Sequence, residues 1–338
     1  MSPVTQQEIL PGERGQLRSQ LHSLLSGCAA YKPDRILVAF TGKDRTRWLN
    51  GMVSNNIRDL PARHGVYAFV LNPQGQIQGD LYVFHRGESL LVEIDRAQAG
   101  LIPQLRRYII MDKVEVEELG DRVSVFGVAG SAADKVLSSL GINPPATALE
   151  LLETTWNGVA VTVVRGDNPC VPDFEFWIAQ DQARQFWNSL LEAGAAEVHE
   201  TALEAFRVLC GIPKIGADIR ERTLPQETAQ DRALNFNKGC YIGQEIVERI
   251  RARGSVHRVL TGLAISGSVP PSGSSIQVNG KDIGLMTSTA LVPTREGDRM
   301  IALGFVRKEH LSGSVRFEVA GREAIPVPLP FSSVIQQL

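Results

Sequence analysis

Asn237-Lys-Gly-Cys-Tyr-Ile-Gly-Gln-Glu-Ile-Val-Glu-Arg-Ile250 follows a readable physical plan. Ile242, Ile246, Val247 and Ile250 fall on one face of a helix that begins near Gly243, because positions three and four apart share a helical face. Cys240 then stands just ahead of a helix N-terminus. The free N–H groups there, with Lys238 two residues away, favour the thiolate. Gly239 and Gly243 suit tight turns or the close approach of a ligand. A blander alternative stands beside this one: a cysteine next to an apolar helix is more often a small buried core residue. No histidine adjoins Cys240 to act as base, and His257 lies beyond the expected helix. Residue types alone therefore give a reactive or metal-facing thiol, not a Cys–His nucleophile.

The 338 residues around this stretch exceed one ordinary core, so two or three domains are expected. With 43% hydrophobic and 21% charged residues the composition is that of a soluble globular protein. A formal net charge of −2 argues against a chain built mainly to hold nucleic acid, and no DNA partner is expected. No run approaches the ~20 apolar residues of a membrane span, so no membrane partner is expected either. The opening residues lack a basic segment followed by an apolar core, and Glu8 and Glu13 speak against a mitochondrial-type leader. The cytoplasm is the default location. Cys28, Cys170, Cys210 and Cys240 form neither a C-x-x-C pair nor a zinc-type cluster. Neither a metal site nor a disulfide framework is expected.

Helical patterns cover residues 6–25 and 44–53, with a strand over 35–40 between them. Residues 66–71, 77–85 and 90–94 predict a three-stranded meander whose first turn is Asn72-Pro-Gln-Gly75. Asp95 is placed to cap a helix reaching about residue 108, which Pro103 kinks or shortens. The alternating stretch 113–119 predicts a half-exposed strand paired with 122–128. Residues 131–140 read as a helix, and 159–164 and 174–178 as strands. Asp181 is placed to cap a helix ending at Gly194, and Thr201-Ala-Leu-Glu204 fits a capping box whose helix closes at Gly211. After residue 251, β-like runs at 259–265, 275–278, 301–306 and 315–319 alternate with Gly, Pro and Ser turns, the texture of a small antiparallel barrel or sandwich. The expected class is α+β: two α+β domains at 1–128 and 129–250, then an all-β domain at 251–338.

The residues from Lys238 to Glu245 resemble the signature K-G-C-Y-x-G-Q-E of the YgfZ-type folate-binding family, relatives of the glycine-cleavage T-protein, an aminomethyltransferase. The likeness continues in Arg249 and Gly254. Upstream, Phe40-Thr-Gly-Lys-Asp44, Trp48-Leu-Asn-Gly51 and Ser54-Asn55 resemble the family's early helix. Asn72-Pro-Gln-Gly-Gln-Ile77 resembles its D-x-x-G-R turn, Leu209-Cys-Gly-Ile-Pro213 its E-A-G-x-P, and Ile301-Ala-Leu-Gly-Phe305 its barrel strand. The resemblance thus spans nearly the whole chain. It implies an aminomethyltransferase-like fold of three domains in a ring, the third a small β-barrel, with tetrahydrofolate in the central channel. It also implies a role in maturation or repair of iron–sulfur proteins, including enzymes that modify tRNA. Cys240 is then the working residue, and iron–sulfur enzymes or cluster-assembly proteins are the partners. A folate-dependent aminomethyl- or methyltransferase is the alternative.

The resemblance also implies a folate site. Glu175, in Pro172-Asp-Phe-Glu-Phe-Trp-Ile178, matches the T-protein strand Y-E-L-x-V, whose glutamate binds the pterin. A carboxylate can receive the pterin's amide-and-amine edge through two hydrogen bonds. Its alternation with aromatic residues reads equally as the solvent face of a strand, although aromatic neighbours suit a flat heterocycle. Asp80, in Ile77-Gln-Gly-Asp-Leu-Tyr82, matches the T-protein aspartate near the reactive folate nitrogen. With Cys240 it is the catalytic candidate, and an exposed strand position is the competing view. Tyr67 and Arg207 complete the implied folate set. One departure stands out: the T-protein segment A-R-D-x-L-R aligns with Ala202-Leu-Glu-Ala-Phe-Arg207, so its first arginine is Leu203 here. Leucine cannot replace a guanidinium fork, and binding of the folate tail must differ. The motif residues Lys238, Gly239, Cys240, Tyr241, Gly243, Gln244 and Glu245 mark the lineage. Lys238, Arg249, Arg251, Arg253 and Arg258 against Glu245 and Glu248 read as a solvated helix end, or as a patch for polyglutamate or tRNA phosphates.

Overall fold

Along the strand Ile77–His85, Leu81 and Val83 point to one side, while Asp80, Tyr82 and Phe84 alternate with them and point to the other. This alternation decides what each face of the first sheet meets. In the computed structural model, which describes residues 11–254, 256–312 and 315–338, that sheet has five antiparallel strands. Their order is Gly65–Leu71, Ile77–His85, Leu90–Asp95, Arg35–Thr41 and Glu115–Glu118. The Leu81 side packs on the helices Arg45–Met52 and Leu101–Arg106, burying Trp48, Leu49, Leu101 and Leu105 with Val38 and Val92.

The second sheet has six strands in the order Ala196–Glu197, Ala29–Tyr31, Val123–Ala129, Asp173–Ala179, Val159–Arg165 and Leu151–Trp156. Phe174, Phe176 and Ile178 pack with Val136, Leu137, Phe186 and Leu190 of the helices Ala133–Ser139 and Ala183–Glu192. Glu175 and Trp177, one step out of phase, face the other way. There the two sheets meet, with Leu37, Phe84 and Leu91 in one cluster with Leu151, Val164 and Trp177. Each sheet thus gives one face to its helices and part of the other to its neighbour.

Six strands between Arg258 and Val327 close into a barrel around Leu263, Ile276, Met286, Ala302 and Phe317. The helices Pro11–Leu25 and Glu200–Leu209 lie against its outside, burying Leu21, Leu24, Phe206 and Leu209 with Leu260, Val292 and Leu303. The chain is α+β with a closed C-terminal barrel, the class read from the sequence.

Several local expectations are corrected. Val123–Ala129 does not pair with Glu115–Glu118. A 3-10 turn, Gly120–Arg122, carries the chain into the second sheet, where the strand pairs with Asp173–Ala179 and Ala29–Tyr31. Glu115–Glu118 instead pairs with Arg35–Thr41. Asp95 does cap, accepting from Ala97 N at 2.9 Å, but it opens only the turn Arg96–Gln98. A new helix starts at Leu101, and Pro103 sits in its first turn, where no N–H is needed. Asp181 lies within the turn Gln180–Gln182, and the helix Ala183–Glu192 has no side-chain cap. The helix Glu200–Leu209 begins before Thr201, and Glu204 turns to Arg207 instead of to a capping box. That helix does close at Gly211, where φ is +70°. There Gly211 N donates to Val208 O and Ile212 N to Arg207 O. Residues 6–10 of the first expected helix lie outside the described residues. Among the described residues no helix is long and apolar enough to cross a membrane.

Candidate functional site

The motif segment is built into the first sheet by three of its residues. Lys238 is 6% exposed, and its Nζ donates to Asn50 O (2.6 Å), Val53 O (2.6 Å) and Asn55 O (2.7 Å). Nζ also stands 4.7 Å from the Tyr241 ring centroid. Burial pulls its pKa down to about 7, while the carbonyl oxygens and the ring face favour keeping the proton. With three donors engaged, Lys238 fastens the segment. Gly243 precedes the helix Gln244–Arg253 at φ +85°, where a Cβ would lie 2.6 Å from Asn72 O. Across the contact a Cβ on Gly75 would lie 2.8 Å from Ile246 Cβ. The turn 72–75 and the helix start therefore touch backbone to backbone. Gly239, by contrast, faces open space.

Tyr241 is buried with Tyr67, Phe69 and Val247, and its N–H donates to Gln244 Oε1 at 3.3 Å. Cys240 and Glu245 are exposed. The cysteine is therefore not the small buried residue of the blander view.

Ser54 and Asn55, both buried, join this region to the segment 231–235. Ser54 Oγ donates to Ala233 O (2.6 Å) and accepts from Phe69 N (2.9 Å). Asn55 Nδ2 donates to both Tyr67 O and Arg232 O, each at 2.8 Å. Arg232 is thereby held over the Tyr67 ring, 4.4 Å from its centroid, and its guanidinium pairs with Asp167. Asp167 also accepts from Tyr82 Oη at 3.0 Å.

Tyr67 in turn donates to Asp80 Oδ2 at 2.6 Å, and Gln98 Nε2 donates to Asp80 Oδ1 at 2.6 Å. A Cβ on Gly79 would lie 2.8 Å from Gln98 Oε1, so the missing side chain lets the turn approach. Asp80 is half-buried in this network, not an exposed strand residue. An aromatic row leads on from it: Tyr67 to Tyr82 (5.0 Å between centroids), Tyr82 to Phe84 (6.3 Å) and Phe84 to Trp177 (5.2 Å). Two residues before Trp177, on the same strand face, stands Glu175.

Glu175 Oε1 is 3.9 Å from Arg35 Nε, which is 3.2 Å from Glu93 Oε1. Burial first, and the neighbouring Glu175 second, hold the Glu93 carboxyl well above the usual carboxylate range. Glu175 thus lies between a cation and an acid within hydrogen-bonding reach. Among the described residues Glu175 Oε2 has no other partner, and Trp177 Nε1 has none. Buried polar groups are normally satisfied. An acceptor and a donor left open beside an aromatic row fit a flat, polar-edged ligand.

Arg207 does not join this network. Its Nε and one Nη2 donor go to Glu204, the other Nη2 donor to Ser288 Oγ (2.8 Å), and Nη1 to Ile212 O (2.8 Å) and Asp218 Oδ2 (2.7 Å). All five donors are engaged within the protein, and one of them, to Ser288, ties the helix Glu200–Leu209 to the barrel, so the structure gives Arg207 a fold-holding role in place of the folate contact that the resemblance implies. Leu203 packs on the same core. Arg258 is held by both oxygens of buried Glu227, while Arg249, Arg251 and Arg253 are the exposed basic residues of the helix end, Arg251 standing over Phe236 and pairing with Glu248. Arg35, Tyr82, Glu93, Gln98, Asp167 and Arg232 were not foreseen. Only Tyr82 had a signal, two residues from Asp80 on one strand face.

The chain matches the model of the GCVT N-terminal domain over residues 36–238. It is 31% identical to the tRNA-modifying protein YgfZ of Yersinia pseudotuberculosis, over 88% of this chain and 91% of that one. It is 29% identical to an aminomethyltransferase of Rubrobacter xylanophilus, over 87% and 80%. The crystal structure of the glycine cleavage system aminomethyltransferase T from Bartonella henselae superimposes with a TM-score of 0.83, covering 93% of this chain and 89% of that chain. At 20% identity that likeness is one of fold. The chain belongs to the YgfZ-type family related to the glycine-cleavage T-protein.

Proposed function

We propose that, within this family, the chain is a tetrahydrofolate-binding factor that assists maturation or repair of iron–sulfur proteins and, through them, tRNA modification. One contrast carries this proposal. Glu175 lies between two sheets with an oxygen left open, whereas Cys240 is exposed on a segment fastened by Lys238 and Gly243. Glu175 would accept the amide-and-amine edge of a pterin, with Trp177 and Phe84 beside it. Asp80, fixed by Tyr67 and Gln98, would face the ring's polar atoms at the far end of the row. With Leu203 where the T-protein has arginine, this chain needs another cation for the folate tail.

The exposed thiol of Cys240 would meet an iron–sulfur enzyme or a cluster-assembly protein, in a cytoplasmic setting. The printed name of the Yersinia relative, a tRNA-modifying protein, agrees with such a role. Direct tRNA contact would fall to Arg249 and Arg253. Cells lacking this gene, complemented with wild type or Cys240→Ser, test the role through iron–sulfur enzyme activity and tRNA thiolation under oxidative stress. Wild type should restore both and Cys240→Ser neither. Normal activities in the uncomplemented deletion would overturn it.

A second function, folate-dependent aminomethyl transfer, is favoured by Asp80, whose carboxylate is held at one end of the cleft. Tetrahydrofolate would supply the one-carbon acceptor nitrogen. Formation of methylene-tetrahydrofolate from an aminomethyl-lipoyl donor, lost in Asp80→Ala, would support it; no turnover by wild type rejects it.

A further inference from the structure

Residues 166–172 connect the strands Val159–Arg165 and Asp173–Ala179 and form a compact, self-bonded loop. Asn168 Oδ1 accepts from Cys170 N at 2.9 Å and Val171 N at 3.4 Å. Asp173 Oδ1 accepts from Asn168 N at 3.2 Å, and Gly166 N donates to Asp173 O at 2.8 Å. Cys170 is half-buried and packs against the core that contains Cys210, the C-cap residue of the helix Glu200–Leu209. The two thiols lie within hydrogen-bond range of each other, and the Asn168 side chain hydrogen-bonds Cys210 as well. Asn168 therefore holds both cysteines, one through its backbone N–H and the other at its thiol. Both are free thiols in this structure.

We propose that Cys170 and Cys210 are a peroxide-oxidisable pair that closes to a disulfide within the native fold. The division of labour follows from their surroundings. Cys170 has some solvent access, and its hydrogen bond with Cys210 holds its pKa below the ordinary thiol value. Burial pushes Cys210 well above it. Cys170 is the attacking thiolate: its sulfur takes the distal oxygen of a hydroperoxide, the O–O bond breaks, and the leaving oxygen takes up a proton to leave as water or an alcohol. The resulting sulfenic acid is then attacked by Cys210, forming S–S and releasing a second molecule as water. Two thiols are oxidised and one peroxide is reduced. Such bonds, where they form in reducing compartments, are usually transient and redox-sensing.

Closure would link two walls of the molecule. The loop carries Asp167, the partner of Tyr82 and Arg232 at the cleft, and Cys210 ends the helix that Arg207 fixes to the barrel. The proposal does not depend on what the cleft binds.

The test uses the whole wild-type chain, native, with a small excess of hydrogen peroxide, followed by alkylation and peptide mapping. Exposed Cys240 serves as an internal marker that oxidant was sufficient. The expected product is a dithiothreitol-reversible cross-link between the Cys170 and Cys210 peptides, about 2 Da lighter than the sum of the two thiol peptides. In Cys210→Ser the cross-link should vanish, with Cys170 recovered as sulfinic acid. Recovery of both cysteines as alkylated thiols after Cys240 has been oxidised would overturn the pairing. So would Cys170 over-oxidised in wild type with Cys210 still free.

Discussion

The guanidinium carbon of Arg232 stands 4.4 Å from the centroid of the Tyr67 ring. Asn55 sets this contact by donating from one amide nitrogen to the carbonyls of both residues. Tyr67 orients Asp80, and Arg232 pairs with Asp167, so one amide organises the polar groups at one end of the aromatic row.

Removing the Arg232 charge should therefore weaken ligand binding without unfolding the protein, since a third of its side chain is exposed. Arg232→Met is expected to raise the dissociation constant for tetrahydrofolate roughly tenfold, in line with about 1.4 kcal/mol for a partly desolvated cation–π and ion-pair site. Calorimetric titration checks this; an unchanged constant would place Arg232 outside the site.

Lys238 should matter to stability far more than exposed Cys240 in the same motif. Lys238→Met strips three carbonyl oxygens, two of them in fully buried contacts, of their donor and should cost about 3 kcal/mol in urea unfolding. Cys240→Ser, at an exposed position, should stay within about 0.5 kcal/mol of wild type. Equal losses would mean that Lys238 does not fasten the segment.

The two motif glycines separate in the same way. Gly243→Ala forces a Cβ at positive φ to within 2.6 Å of Asn72 O and should cost about 3 kcal/mol. Gly239→Ala meets open space, and a change below about 1 kcal/mol is expected. Midpoints of urea unfolding for the pair distinguish a packed contact from a merely flexible one.

Asp173 gives a pH dependence. Burial, the main cause, pushes its pKa up to about 7 from an unfolded value near 3.8, so the folded state favours the neutral acid. Folding then binds the proton more tightly, and stability falls as pH rises from about 4 to about 7. Asp173→Asn should remove this loss. Its advantage over wild type should grow across that window to about 2 kcal/mol, less than a fully dry carboxyl would give because Asp173 keeps some solvent contact. A difference independent of pH would show that Asp173 is ionised throughout.

Much of the architecture was legible because it is local. The apolar runs and turn residues around 66–94 marked the meander, the turn residues after 251 marked the barrel, and Asp95 marked a cap. The partner of Val123–Ala129 was not legible. Nearness in sequence favoured a hairpin with the preceding strand, whereas the pairing is with residues 173–179 and is decided by which hydrophobic face needs covering. The site divides similarly. Glu175 and Asp80 stood out through resemblance to known strands. Arg232 lies in the aperiodic segment 228–237 and finds Asp167 only after the sheets assemble, so nothing in its neighbours announces it. Arg207 and Lys238 show the converse: their residue types suggested ligand chemistry, but every donor is engaged in holding the fold.

The separation of a ligand cleft at Glu175 from an exposed thiol at Cys240 is tested most directly by titrating tetrahydrofolate into wild type, Glu175→Ala and Cys240→Ala. Loss of Glu175 should raise the dissociation constant at least tenfold, the effect of about 1.4 kcal/mol for a lost charge-assisted hydrogen bond, while Cys240→Ala binds like wild type. Equal weakening by both substitutions, or none by Glu175→Ala, would contradict it.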